Sequence, residues 1–557
     1  MRAINILMGG EAGQGLVTVG ELLSRMLVRQ GYRIVVTQSY ESRIRGGHNT
    51  FAVRVSTDRI EAPAEGIDLL VALTDETVAL HRGELSAEGV IVADGAACDS
   101  GSRCLGVPFG DLAPKQFRNV AALGVVCSLL GLEEKFAAHV VDETFGARHP
   151  EMVEGNRSAL GKAFEWSADK SSVFRKLPAA DKQHRIMLNG NEALALGAVS
   201  AGLRFAAFYP MTPSTSIPLT VIGLAERMGI VVEQAEDEIA AINMAIGASF
   251  AGAPSMVATS GGGFALMVEG VSLAGMTETP VVIVVGQRPA PATGLPTRTE
   301  QADLDFVLHA GHGEFPRAIF APGGIDDCFY FARRAFSLTE RYQTPVFMLT
   351  DQFLADSYRA VPPFNLDGLE WVKPGADASS IVAPYRRHAL TETGVSPRLL
   401  PGMSEHLVVT DSDEHTEDGH ITEDLAVRKR MVEKRLKKLD GMKAEVVPPE
   451  YEGGEGPELL LVSWGSTRGS VREAAAAIRA NGVDVATLHF GQVWPLAPGQ
   501  FLERLNRAGS VVCVEGNAFG QLARLIRRET GFKIEERVSR YDGLPITPEF
   551  ILRELSI

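Results

Sequence analysis

Short apolar runs alternating with stretches of helical period organise most of this chain. Residues 4–8 form one such run and lead into a glycine-rich turn, Gly9 to Gly15; residues 16–30 then carry apolar positions at helical spacing up to Gly31. Residues 32–37 read as the next strand, giving a β-α-β opening, and the apolar runs at 69–73 and 90–93 extend the pattern toward a parallel α/β sheet. The polar, charged stretch 167–185 reads as a linker. A second α/β unit is expected from Ile186 to about Pro363, with strands at 203–209 and 281–286 and a small-residue helix at 239–251. From about 364 to 456 the period weakens, and a run of acids (Asp411, Asp413, Glu414, Glu417, Asp418, Glu423, Asp424) precedes a run of bases (Arg428, Lys429, Arg430, Lys434, Arg435, Lys437, Lys438). Leu425, Val432, Leu436 and Leu439 recur at near-helical spacing, which predicts a helix whose charges coat a solvated face. Strands at 459–463, 483–488 and 510–514, with helices at 468–480 and from Gly520, describe a third α/β domain.

Length agrees with several domains: 557 residues at about 150 per domain gives three or four. Hydrophobic residues make up 45% and charged residues 22%, and no apolar run approaches the roughly 18 residues that cross a bilayer. The net charge of −15, from 54 basic and 69 acidic residues, argues against nucleic acid or an anionic membrane as partner and points to small molecules or proteins. The five cysteines, Cys98, Cys104, Cys127, Cys328 and Cys513, contain no Cys-x-x-Cys spacing, so no iron–sulfur cluster or zinc site is expected in this chain. Their scatter fits reduced thiols, Cys127 and Cys513 as core residues; together with a start that lacks a signal-peptide pattern it predicts a cytoplasmic protein.

Several segments could do chemistry. The glycine turn containing Gly13 and Gly15 suits a phosphate cradle or, equally, a structural tight turn. Ser42, Arg43, Arg45, Gly46, Gly47 and His48 form a short polar segment suited to a carboxylate or phosphate, with a solvated loop as the alternative. Tyr209, Pro210, Met211, Thr212, Pro213 and Ser214 follow an apolar strand, where α/β sheets place ligands; helix capping competes for the hydroxyls. Glu233, Glu236, Asp237 and Glu238 lead into the small-residue helix, and acids at a helix start are usually dipole partners. Arg288 and Arg298 lie in a Pro/Gly loop after a strand and suit a carboxylate substrate. His406, His415 and His420 are irregularly spaced, which favours a solvated or interface segment over a metal site.

Taken together, Tyr-Pro-Met-Thr-Pro-Ser (209–214), Glu-Asp-Glu-Ile-Ala-Ala (236–241), Thr-Gly-Leu-Pro-Thr-Arg-Thr-Glu-Gln (293–301) and Gly-His-Gly-Glu-Phe-Pro (311–316) resemble the alpha chain of 2-oxoacid:ferredoxin oxidoreductases. Gly-Gly-Glu-Ala-Gly-Gln-Gly (9–15) and Arg-Gly-Gly (45–47) resemble the gamma domain of that family, here fused at the N-terminus. The stretches 515–522 and 543–548 resemble its transketolase-like C-terminal domain. The resemblance implies a gamma-type α/β domain at 1–178, a pyrimidine-binding domain of the thiamine-diphosphate fold at 184–363, a charged insert at 364–456 and a transketolase C-terminal-like domain at 457–557.

The same resemblance implies the chemistry. Glu238, with Glu236 as fallback, would meet the aminopyrimidine of thiamine diphosphate; Tyr209, Pro210, Gly13 and Gly15 would be cofactor-binding. Thr212 and Arg288, the latter by its distance from Asp303, would hold the substrate carboxylate. Arg298, Ser42, Arg43 and Arg45 are weaker candidates for substrate or coenzyme A. No Gly-Asp-Gly occurs in the chain, so the diphosphate, its Mg²⁺ and a [4Fe–4S] cluster are expected on a beta subunit, in an (αβ)₂ assembly that passes electrons to ferredoxin. The fusion with a charged insert most resembles the 2-oxoglutarate enzymes; pyruvate, branched-chain and indolepyruvate enzymes are the alternatives. A non-catalytic coenzyme A or nucleotide-binding protein is the reading from another class.

Overall fold

Each apolar run forms a strand whose side chains are covered on both faces, which explains why burial along these strands is nearly continuous rather than alternating. The computed structural model describes residues 3–557 except 41–46, 96–97, 99–102, 147–148, 171 and 382. The chain divides into two units: Met1–Leu188 with Asp356–Phe364 and Thr547–Glu549, and the remainder.

In the first unit the strands are β1 (Ile4–Glu11), β2 (Arg33–Ser39), β3 (His48–Ser56), β4 (Ile67–Ala72), β5 (Leu85–Asp94) and β6 (Cys104–Val107), in the order β6-β5-β4-β1-β3-β2, extended by Arg359–Val361 and Ile186–Leu188. The helix Leu16–Arg29 follows β1 as expected. The sheet is mixed rather than parallel, however: β3, absent from the sequence reading, lies between β1 and β2 and is antiparallel to both. Ile186–Leu188, read as the opening of the second unit, hydrogen-bonds in this first sheet through Arg359–Val361. Cys98 and Cys104 form a disulfide, with Cα atoms 5.5 Å apart, which corrects the expectation that all thiols are reduced; Cys127, Cys328 and Cys513 are free and buried. Burial pushes the Cys127 thiol up to about 12, so it is an inert core group.

The second unit holds two sheets. One contains β7 (Phe205–Phe208), β8 (Val231–Gln234), β9 (Ser255–Ser260), β10 (Val281–Gln287), β11 (Ala318–Phe320) and β12 (Pro345–Asp351), all parallel, in the order β11-β12-β10-β9-β7-β8. Parallel pairing brings the carboxyl ends of β7 to β10 and β12 to one edge, where their loops converge. The other contains β13 (Leu459–Trp464), β14 (Val485–Phe490), β15 (Ser510–Glu515) and β16 (Glu536–Ser539), also parallel. The two sheets share one core: Val257 and Ile283 belong to the same apolar cluster as Leu460, Trp464 and Leu488.

The charged insert departs most from expectation. Its helix, Leu425–Ala444, buries Met431, Lys434, Arg435, Lys438 and Met442, while Leu425 is exposed. Arg428, Lys429, Arg430 and Lys437 are exposed as expected, but Lys434 and Lys438 are turned inward against fully buried Glu278: Lys434 Nζ lies 2.6 Å from Glu278 Oε1, and Lys438 Nζ pairs with Oε2. Burial pushes the Glu278 carboxyl up, but Lys438 and Lys434 override it and hold it well below the usual range. His388, pulled down to about 3 chiefly by burial, is neutral and donates from Nδ1 to Glu278 at 3.2 Å. The His415 ring packs against that of His388 at a tilt of 45°, with centroids 4.0 Å apart, and is buried, which excludes the solvated reading of this segment at His415. Glu278, His388 and His415 place their polar atoms within 4.8 Å of one another, yet two ammonium groups hold the carboxylate a cation would need. No helix among the described residues is long and apolar enough to cross a membrane.

Candidate active site

After β8 the chain passes Glu236, which is exposed, and Asp237, whose carboxylate caps the next helix by accepting from Ala240 N at 2.8 Å. Glu238 is the first residue of the helix Glu238–Phe250, and it points inward with 3% of its surface exposed. Its Oε1 is buried and has no hydrogen-bond partner. Beside it, β9 ends in Ser260, whose buried Oγ is likewise unpartnered, and the helix Gly261–Met276 begins with three glycines. A Cβ on Gly263 would overlap Glu238 Oε1 and Thr259 Oγ1, so glycine is required for this close approach. Two buried oxygens without partners are costly unless a ligand completes them. They fit a cofactor that presents ring nitrogens and an amino group. The Gly261-Gly-Gly263 turn after an apolar strand was legible in the sequence and was not singled out there.

The loop after β7 carries Tyr209 and Pro210, both exposed, then Thr212, half-buried. Its carbonyls are held from two sides: Asn191 Nδ2 donates to Pro213 O at 2.8 Å, and Arg288 Nη1 donates to Thr212 O at 2.7 Å. The N-cap position of the next helix, Thr215, makes no side-chain cap bond, so capping does not claim it. Arg288 directly follows β10 and is 9% exposed. Burial lowers its pKa while Asp303 opposes that shift. Burial also pushes Asp303 up to about 6, with Arg288 pulling it down, and burial and the neighbouring Asp303 push Glu300 up to about 7. Such paired shifts gather at functional clefts. Asp303 also lies against Gly261: a Cβ there would meet its carboxylate at 2.6 Å. Neither Asp303 nor Glu300 was proposed as a site residue from sequence; no local pattern marks an acid as buried.

The loop from 288 to 303 is clamped by the C-terminal sheet. Gln301 donates to Trp464 O at 2.9 Å and accepts from Gly516 N at 2.8 Å, and Asn517 Nδ2 donates to Gln301 O at 3.1 Å. Glu515 organises that clamp, accepting from Trp464 Nε1, Asn517 Nδ2, Leu522 N and Ala523 N. Arg298, on the same loop, packs against Gly543. Gly13 and Gly15 belong to the first unit, both at positive φ; a Cβ on Gly15 would overlap Asn119. Their turn is thus a tight turn by geometry. Ser42, Arg43 and Arg45 lie outside the described residues.

A parallel sheet with a buried, unsatisfied carboxylate at its ligand-binding edge, joined to a second parallel domain, defines a cofactor-dependent α/β enzyme subunit. Residues 196–434 match the family described as pyruvate flavodoxin/ferredoxin oxidoreductase, thiamine diphosphate-binding, and residues 5–166 match pyruvate ferredoxin/flavodoxin oxidoreductase. The 2-oxoacid:ferredoxin oxidoreductase subunit alpha of a Sulfolobus species is 31% identical over 97% of this chain and 94% of its own length. The 2-oxoglutarate oxidoreductase subunit KorA of Mycobacterium tuberculosis is 29% identical over 94% of this chain and 86% of its own. A solved structure, the 2-oxoglutarate:ferredoxin oxidoreductase from Magnetococcus marinus with 2-oxoglutarate, coenzyme A and succinyl-CoA bound, superposes with a TM-score of 0.93 at 29% identity, covering 100% of this chain and 99% of that one. The chain belongs to the 2-oxoacid:ferredoxin oxidoreductases, as an alpha subunit.

Proposed function

We propose that this alpha subunit takes 2-oxoglutarate as its 2-oxoacid and coenzyme A as acyl acceptor, with thiamine diphosphate as cofactor. The observation that carries the reading is the buried, unpartnered Oε1 of Glu238 beside the glycine start of the following helix. Thiamine diphosphate, when bound, supplies an acidic thiazolium carbon able to add to a 2-oxo carbon and release CO₂. Glu238 Oε1 holds and returns a proton at the aminopyrimidine ring, and its burial keeps water from competing for that proton. Arg288 pairs with the 2-oxoacid carboxylate; its bond to Thr212 O fixes the guanidinium against the loop that brings the Thr212 hydroxyl to the same carboxylate. Tyr209 and Pro210 line the cofactor's approach. Arg298, Ser42, Arg43 and Arg45 are assigned to the distal carboxylate or coenzyme A, and Gly13 and Gly15 to the cofactor or coenzyme A side of the gamma-type domain.

The same reading assigns the Mg²⁺-diphosphate site and a [4Fe–4S] cluster to a beta subunit, with ferredoxin as electron acceptor, an (αβ)₂ assembly and a cytoplasmic location. The apolar surface around Glu238 supports a docked partner. Leu219, Ile222, Val231, Ile239, Met244 and Leu266 are each 41–59% exposed on the helices and edge strand that frame the site, apolar side chains that a docked partner would cover. The test is turnover of 2-oxoglutarate, pyruvate and branched-chain 2-oxoacids with coenzyme A and a viologen acceptor. The chain co-expressed with a partner bearing Gly-Asp-Gly and cluster cysteines is expected to prefer 2-oxoglutarate. Robust turnover by the chain alone, or preference for pyruvate, overturns the reading.

A further inference from the structure

On the second unit, a cleft of about 550 Å³ lies between the helix Ile325–Tyr342 and the first residues of the insert, apart from every residue assigned above. Its volume falls in the range of small-molecule sites. Arg333, Ser337 and Arg341 line it at successive four-residue steps, so they form one stripe with a rise of about 5–6 Å per step. Arg334 and Lys373 add two further cations.

The charge balance in this cleft is unequal. Glu340 is taken by Arg398, with both carboxylate oxygens at 2.7 Å. Glu445 is taken by Arg341, again at 2.7 Å to both oxygens, and by the Tyr342 hydroxyl. Arg333 meets only neutral acceptors, Ser200 O, Ser200 Oγ at 2.9 Å and Glu370 O at 2.7 Å, and burial lowers its pKa with no carboxylate to restore it. Arg334 donates from Nη2 to the Glu445 carbonyl and, without an ion pair, still helps hold the Glu445 carboxyl down; its Nε is buried with no hydrogen-bond partner. Among the described residues, Arg333, Arg334 and Lys373 therefore face one carboxylate without an ion-pair partner, that of Glu370. At one wall stands Trp371, 56% exposed, steadied by the Arg204 guanidinium 4.9 Å from its ring centroid and by the Val372 N bond to Ala201 O at 2.9 Å.

Guanidinium and ammonium groups held without an ion pair favour phosphoryl oxygens, and a fixed indole selects an aromatic base. We infer that this cleft binds a nucleoside di- or triphosphate, with Arg333, Arg334 and Lys373 on the phosphates and Trp371 against the base, as a site separate from the catalytic cleft.

Isothermal titration of the full-length chain with ADP, pyrophosphate and adenosine tests this. Lys373→Glu and Trp371→Ala serve as variants because both side chains are exposed and outside the core. The expected result is saturable ADP binding, tighter than pyrophosphate or adenosine alone, weakened about tenfold or more by Lys373→Glu and by a similar factor by Trp371→Ala, each matching the loss of one phosphate or stacking contact. ADP binding unchanged in both variants would mean that the nucleotide sits elsewhere and overturns the assignment. So would no ADP binding at millimolar concentration, or pyrophosphate binding as tightly as ADP.

Discussion

Arg288 Nη1 lies 2.7 Å from the carbonyl oxygen of Thr212, a bond between residues 76 apart in the chain that ties the loop after β10 to the loop after β7. One guanidinium thus braces the loop that carries Thr212, and under the proposed function it also receives the 2-oxoacid carboxylate. Arg288→Ala is expected to lower kcat/KM for the 2-oxoacid by about 10- to 100-fold, the worth of roughly 1.5–3 kcal/mol for a hydrogen bond to a charged group. Arg288→Lys keeps the charge but not the fork, and should recover only part of the loss. Steady-state kinetics on the assembled enzyme reads both; unchanged kcat/KM in Arg288→Ala would remove it from the site.

Glu238→Gln preserves shape and removes the basic oxygen. Turnover is expected to fall by roughly 10²- to 10⁴-fold, the usual share of a proton-transferring side chain, with an unchanged circular dichroism spectrum. Gly263→Ala should instead weaken cofactor binding, because its methyl group enters the space between Glu238 and Thr259; thiamine diphosphate titration by fluorescence distinguishes the two.

Asp303 beside Arg288, with Glu300 beside Asp303, gives the site a pH dependence. Asp303 is pushed up to about 6 and Glu300 up to about 7, burial being the main cause in each. As pH rises through this range Asp303 ionises beside Arg288 and competes with the substrate carboxylate, and Glu300 adds its charge beside Asp303, so KM should rise between pH ~5.5 and ~7.5. Asp303→Asn should flatten the lower part of that rise. The same shift acts on stability: folded Asp303 holds its proton where the unfolded chain has lost it, so its contribution declines as pH rises from ~4 to ~6. Denaturant unfolding of wild type and Asp303→Asn across that interval measures it, and the variant should lose this part of the slope.

Glu278→Gln leaves Lys434 and Lys438 buried without their shared counter-charge. Breaking such a pair costs about 3–5 kcal/mol, so unfolding should shift to distinctly lower denaturant. Lys438→Met keeps the Lys434 pair and should be milder. Equal effects of the two substitutions would mean that Lys434 adds nothing to the lock.

The legible part of this protein is local. Strand and helix periods located β1, β9's neighbours β7 and β10, and the C-terminal α/β repeats to within a few residues, because burial of apolar runs is a property of short segments. The helix 425–444 was legible as a helix and illegible in orientation. Its leucines promised the buried face, yet Lys434 and Lys438 went inward because the buried Glu278 carboxylate, more than 150 residues upstream, is there to receive them. Likewise Cys98 and Cys104 showed no metal or redox spacing, and only the approach of their backbones made a disulfide.

At the site, the sequence by itself determined the chemical inventory: a run of four acids before a small-residue helix, two arginines in a Pro/Gly loop, and motifs that resemble one enzyme family. Tertiary structure decided which of these act together. It buried Glu238 and left Glu236 in solvent, joined Arg288 to Thr212, and brought Gln301 under the control of the C-terminal sheet. Burial, desolvation and long-range hydrogen bonding are sums over neighbours from distant segments, and a one-dimensional pattern carries no record of those neighbours.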